Sequence, residues 1–174
     1  MSSQEKQTGI VTPRFLTEEI ARTAVERLLP QIMSFPELGR VFCHIVILVP
    51  VMKKTGAEAD WQNNRIEPHV LYEHSFGNKA EWPREFDLIA RGKAQQLWYD
   101  RNDSRTDLSP HLLFPGDSPY WGGVKREGIV VTCSGVQQWF DRMIAGIISD
   151  SCIALAYNAW MISSDKEQNN AFLD

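Results

Sequence analysis

Four residues able to hold or move a proton stand at informative places in this sequence: Lys93, His111, Ser134 and Asp141. Lys93 falls on a helical stripe with Phe86, Ala90 and Leu97, where an ammonium needs an anion or a route to water. Its stem can cover core while its head reaches solvent. Alternatively the head holds a ligand carboxylate, with Arg91 and Arg101 as further cations for such an anion site. Asp141 lies in the first turn of a long helical pattern, a favourable place for a carboxylate in any protein. The Ser134-Gly135 turn before it and the helix start form a polar corner, in which Asp141 accepts a hydrogen bond or acts as a base. His111 precedes a Pro-Gly loop with Tyr120 and Trp121, and is the candidate axial ligand or acid/base group.

Other chemistries have less behind them. His44, His69, His74 and His111 show no paired spacing on one helix, so no closed zinc site is expected. His69 and His74, five residues apart, should point to opposite faces of a regular strand. Ser134 lacks the flanking glycines of a nucleophile elbow, and no Gly-rich phosphate loop appears. Cys43, Cys133 and Cys152 are odd in number and widely spaced, and read as reduced, buried thiols. The tryptophans, six in all, suit either a planar-ligand pocket or an oligomer interface.

The elements that must position these residues follow from periodicity. Thr17-Glu18-Glu19 starts a helix with Ile20, Ala24, Val25, Leu28 and Leu29 at helical spacing, expected to end or kink at Leu29-Pro30. Val41 to Val51 reads as a buried strand, and Glu67 to Ser75 as an antiparallel partner with Val70 and Tyr72 on one face and Leu71 on the other. A long polar loop, Lys53 to Arg65, joins them. Pro83 opens a second helix to about Asp100. A polar linker to Pro110 and a loop from His111 to Gly123, with a short strand near Tyr120, lead to a strand at Gly128 to Ser134. Gln137 to Met161 is a long amphipathic helix.

A chain of 174 residues, 43% apolar, suits one core. Three regions are expected: a disordered segment or arm over 1–13, a single α+β sandwich domain over 14–162, and a polar tail over 163–174. A net charge of -4 with mixed signs argues against nucleic acid as partner. No secretory leader and no run long enough to span a bilayer is evident, so a cytoplasmic location is expected.

Three short patterns carry a resemblance. Lys93-Ala94 on a helix, the loop Pro115-Gly116-Asp117-Ser118-Pro119, and Ser134-Gly135 with Asp141 seven residues after the Ser together resemble the GlcG/HbpS-like, haem-degrading-domain-like family. That resemblance implies a profilin-like, five-stranded antiparallel sheet flanked by helices, homo-oligomer formation, and binding of haem, a corrinoid or another small molecule such as an organic acid. It implies no shared catalytic mechanism. The leading expectation is a small-molecule-binding protein with ligand contacts at Lys93, Arg91, Tyr120, Trp121, Ser134 and Gly135. The alternative is a cofactor-independent isomerase, lyase or hydrolase using His111 or Asp141 as acid/base, and a third is an adaptor.

Overall fold

The computed structural model describes residues 10–53, 65–102, 110–169 and 173. The expected loop between 54 and 64, the linker over 103–109 and the first nine residues of the arm lie outside the described residues.

In chain order the elements are β1 (Ile10–Val11), α1 (Glu18–Ile32), β2 (Cys43–Lys53), β3 (Arg65–Phe76), α2 (Phe86–Trp98), β4 (Gly123–Arg126), β5 (Ile129–Ser134), α3 (Gln138–Met161) and α4 (Ser164–Gln168). The strands form one five-stranded antiparallel sheet centred on β2. β3 pairs along one edge of β2, while β5 and the two-residue β1 share the other, and β4 closes the far side through a hairpin with β5. That hairpin turns on Glu127 and Gly128, both at positive φ, which matches the twist of the flanking strands.

β2 and β5 read as unbroken apolar runs because both faces of the sheet are covered. Ile45, Ile47, Val49, Val131 and Cys133 point into the larger core with α1 and α3, whereas Val46, Leu48 and Val130 pack under Ala90, Ala94 and Leu97 of α2. The α+β sandwich therefore has α2 on one face and α1 with α3 on the other. Pro50 is tolerated inside β2 because it opposes Pro68 on β3 and falls between the β5 and β1 pairings on the other edge.

Several boundaries differ from the sequence reading, each for a local reason. α1 runs through Pro30 to Ile32; Pro30 sits exposed in the last turn, where water can reach the carbonyl it leaves unpaired. α2 starts at Phe86 instead of Pro83, because the chain bends at Pro83 and Arg84, where the Phe86 N–H donates to the Arg84 carbonyl at 2.9 Å. The strand expected near Tyr120 begins at Gly123. Ile10 and Val11, counted with the arm, add to the sheet, and Ser163 caps α4 within the expected tail. A β-bulge leaves Leu71 opposite no residue of β2, since Ile47 pairs with Tyr72 and Leu48 with Val70. Leu71 and Tyr72 consequently both turn toward α1 and Val70 away, correcting the simple alternation. The same bulge puts His69 and His74 on one face, opposite Val49 and Ile45; the described residues nonetheless hold no cluster of three metal-ligating side chains.

α3 also corrects a sequence expectation. By length and composition it is apolar enough to cross a membrane, and 33% of that stretch is buried in the fold.

Candidate functional site

Lys93 and Asp141 meet in the interior. The Lys93 Nζ lies 3.0 Å from Asp141 Oδ2 and donates to the Cys133 carbonyl at 2.9 Å, and the two residues are 1% and 2% exposed. The backbone N–H of Val136 donates to the other carboxylate oxygen of Asp141 at 3.2 Å. Burial pushes the Asp141 carboxyl above its ordinary range, opposed by the Lys93 ammonium and the Val136 N–H. The Cys133 thiol beside them is fully buried and held well above the usual thiol range, also by burial, which keeps it protonated and inert.

This pair depends on backbone without side chains. Gly122, at φ 129°, lies so close that a Cβ there would stand 2.6 Å from the Asp141 Cβ and 3.1 Å from the Lys93 Nζ. Gly135, at φ 148°, allows the chain after β5 to press on the backbone of Phe42 and Cys43 before entering α3. Ser134 and Gly135 are therefore buried parts of the frame that carries Asp141. The anion that Lys93 required is supplied by the protein itself, 48 residues along the chain.

The Pro-Gly loop is docked onto α2 by two side chains. Gln96, fully buried, accepts from the Ser118 N–H at 3.1 Å and donates to the Ser118 carbonyl at 3.2 Å, closing the loop as a strand partner would. Arg101 forks onto Asp117, and this hydrogen-bonded pair, helped by the Phe114 N–H, holds the Asp117 carboxyl below its usual range. His111 lies exposed on the helical turn Pro110–Leu112 at the start of this loop, and no described contact joins it to Lys93 or Asp141.

The loop ends at a surface site. Tyr120 emerges beside Arg84, whose guanidinium donates to the Tyr120 hydroxyl and lies 5.5 Å from its ring centroid. Arg84 also borders a cleft of about 530 Å³ at the start of α2, walled by Trp82, Pro83, Glu85 and Leu88 with the ion pair Lys79–Asp87 at 2.6 Å. Trp121 is half-buried between Tyr120 and Gly122. Among the described residues, Arg84 pairs with no carboxylate, unlike Arg91, which binds Glu73 through two hydrogen bonds of 2.6 and 3.0 Å. Sequence reasoning singled out Tyr120, Trp121 and Arg91 but missed Arg84 and the part Trp82 plays. The one available signal was the run Trp82-Pro83-Arg84, an aromatic and a cation either side of a proline before a helix.

No family profile matches the chain. Comparison with curated proteins and with solved structures likewise finds no significant match.

Behind Trp82, His44 is buried with Nδ1 2.9 Å from Ser75 Oγ and Nε2 3.7 Å from Glu73 Oε1, its ring edge-on to the indole. Burial holds this imidazole below its ordinary value; Glu73 and Asp87 favour the cation, and Arg91 adds to the depression. The folded protein thus keeps His44 neutral while the unfolded chain takes up a proton first as pH falls. Its contribution to stability is present above the unfolded value, about 6.5, and is lost as pH drops from there toward the folded value. The stability advantage of wild type over His44→Gln, from urea unfolding between neutral pH and pH 5, is expected to shrink as pH falls. An advantage independent of pH would show that His44 does not titrate differently in the fold.

Proposed function

We propose that this chain is a small-molecule-binding protein of the GlcG/HbpS-like type, with a profilin-like sheet, that takes a planar organic anion at the cleft before α2. The observation that carries this is Arg84: a cation beside the Tyr120 ring at the rim of a cleft walled by Trp82, in ion-pair contact with no carboxylate among the described residues although Glu85 and Asp87 also line the cleft. A carboxylate on an aromatic ligand supplies a partner for Arg84, while Trp82 supplies a flat face for its ring. The volume suits a small ligand. The meeting of Lys93 with Asp141 on the Gly135 turn supports the family reading, because it gathers two of the three sequence patterns in one place.

Haem itself does not fit the cleft as an iron-ligated group. The described lining residues include no His, Cys or Met, His44 is buried behind Trp82 with Ser75 and Glu73 at its two nitrogens, and His111 belongs to a separate exposed turn. Recognition there would come from the ring face and the carboxylates.

Titrating the protein with benzoate, indole-3-acetate and metal-free protoporphyrin IX, followed by quenching of tryptophan fluorescence, tests the reading. At least one is expected to bind, with Arg84→Ala weakening it by tenfold or more and haem binding no tighter than the metal-free porphyrin. Equal affinity in Arg84→Ala, or no binding of any of the three, would overturn it.

A further inference from the structure

His44 stands directly behind the wall of the cleft. Its ring meets the Trp82 indole edge-on with centroids 6.1 Å apart, and Lys79 Nζ lies 5.3 Å from the centroid of the same indole. The histidine is 4% exposed, and its Nε2, like the Trp82 Nε1, is buried without a hydrogen-bond partner among the described residues. A buried nitrogen in that condition calls for an explanation in how the site works.

Protonation supplies one. Ser75 Oγ lies 2.9 Å from His44 Nδ1 and Glu73 Oε1 lies 3.7 Å from Nε2, and the neutral ring has one N–H for these two oxygens. The imidazolium has an N–H for each. Burial is what keeps that cation from forming in the free protein. The charges that face the ring come from both elements packed beside it: Glu73 on β3 and Asp87 on α2 favour the cation, and Arg91 on α2 opposes it. On the other edge of β2, β5 sets the uncharged Ser134 opposite His44.

Asp87 connects this balance to the cleft. It lines the cleft with Trp82, held by Lys79 at 2.6 Å, and its charge acts on His44 from there. A ligand carboxylate drawn to Arg84 in the same cleft adds negative charge on that side of the ring, across the indole, where salt screens less than in open solvent. It costs His44 little further desolvation, because the ring is already almost wholly buried. The added charge therefore outweighs the added burial. We propose that anion binding in the cleft is coupled to uptake of one proton from solvent by the His44 ring, so that the protein holds its ligand more tightly as pH falls and releases it as pH rises. The coupling rests on the ligand site proposed above and supplies its regulation. By linkage, proton and ligand strengthen one another equally.

Benzoate, indole-3-acetate and metal-free protoporphyrin IX serve again as probes, now at pH 7.5 and pH 5.0. Wild-type affinity for a probe that binds is expected to rise about twofold or more between the two, and the His44 ring-proton resonance, followed by NMR, to titrate about half a unit higher or more with that probe bound. His44→Gln is expected to keep the affinity measured at pH 7.5 and lose the rise. Binding with an unshifted His44 titration, or with the same rise in His44→Gln, would overturn the coupling and leave the ligand site standing. Binding of none of the three would remove the ligand site and the coupling together.

Discussion

Replacing Lys93 by Met is expected to lower the free energy of unfolding by about 3–5 kcal/mol, the usual cost of breaking a buried ion pair by removing one partner. The loss exceeds that of a packed methylene stem because Met preserves most of the stem. It removes instead the group that compensates Asp141, which is 2% exposed and keeps only neutral donors, the Val136 N–H and the Cys133 thiol. The Cys133 carbonyl loses its Lys93 donor as well. Replacing both members, Lys93→Met with Asp141→Leu, is expected to recover much of that loss, since the double change leaves no buried charge. Equilibrium denaturation of the two single variants and the double variant completes a cycle that isolates the coupling. Strict additivity of the single effects would show that the two side chains do not stabilise one another.

Gly135→Ala is expected to cost about 3 kcal/mol or more, among the larger effects of a single substitution. Two penalties combine there. The backbone sits at φ 148°, which an L-residue adopts with strain, and the added Cβ would stand 2.5 Å from the Phe42 carbonyl oxygen and 2.6 Å from the Cys43 Cα. Those neighbours are backbone atoms of the chain entering β2, so no rotamer change relieves the contact. Gly128→Ala separates the two penalties, because Gly128 also has positive φ while nothing lies within 4 Å of its Cβ position. That variant should lose only about 1–2 kcal/mol, the conformational part alone. Thermal melts of the two variants decide the point: equal losses would mean that the close approach at Gly135 contributes nothing.

Lys93, Asp141 and Gly135 belong to the frame of the molecule, and Arg84 and Trp82 to its rim. Asp141 has both oxygens engaged and little contact with solvent. Lys93, with its ammonium bound to Asp141 and the Cys133 carbonyl, ties α2 to the end of β5 and the start of α3. The Tyr120–Gly122 segment connects the two regions, since Tyr120 touches Arg84 outside and Gly122 touches Lys93 and Asp141 inside. Loosening the interior pair should therefore disturb the rim through that short stretch of backbone.

The residue pattern alone determined much of the fold. Val46 to Val49 and Val130 to Val131 are apolar without alternation, which a strand shows only when both its faces are covered, and helices fit on either side of such a sheet. The 3.6-residue period of α3 was equally plain, because a helix packed along one side must repeat its buried positions. That Lys93 sat on the buried side of α2 followed from the same period.

Only the tertiary structure decided what Lys93 meets. Asp141 is 48 residues away, and its approach depends on Gly122, Gly135 and the order in which β5 and α2 stack, none of which leaves a periodic trace. The bulge at Leu71 was hidden for a related reason: the local sequence alternates acceptably in either register, and pairing with β2 fixes which residue is extra. Arg84 acquired meaning only when the Pro-Gly loop, fastened by Gln96 to Ser118, brought Tyr120 alongside it. Local periodicity records which faces are buried, whereas a site assembled from distant loops is recorded only in how those faces come together.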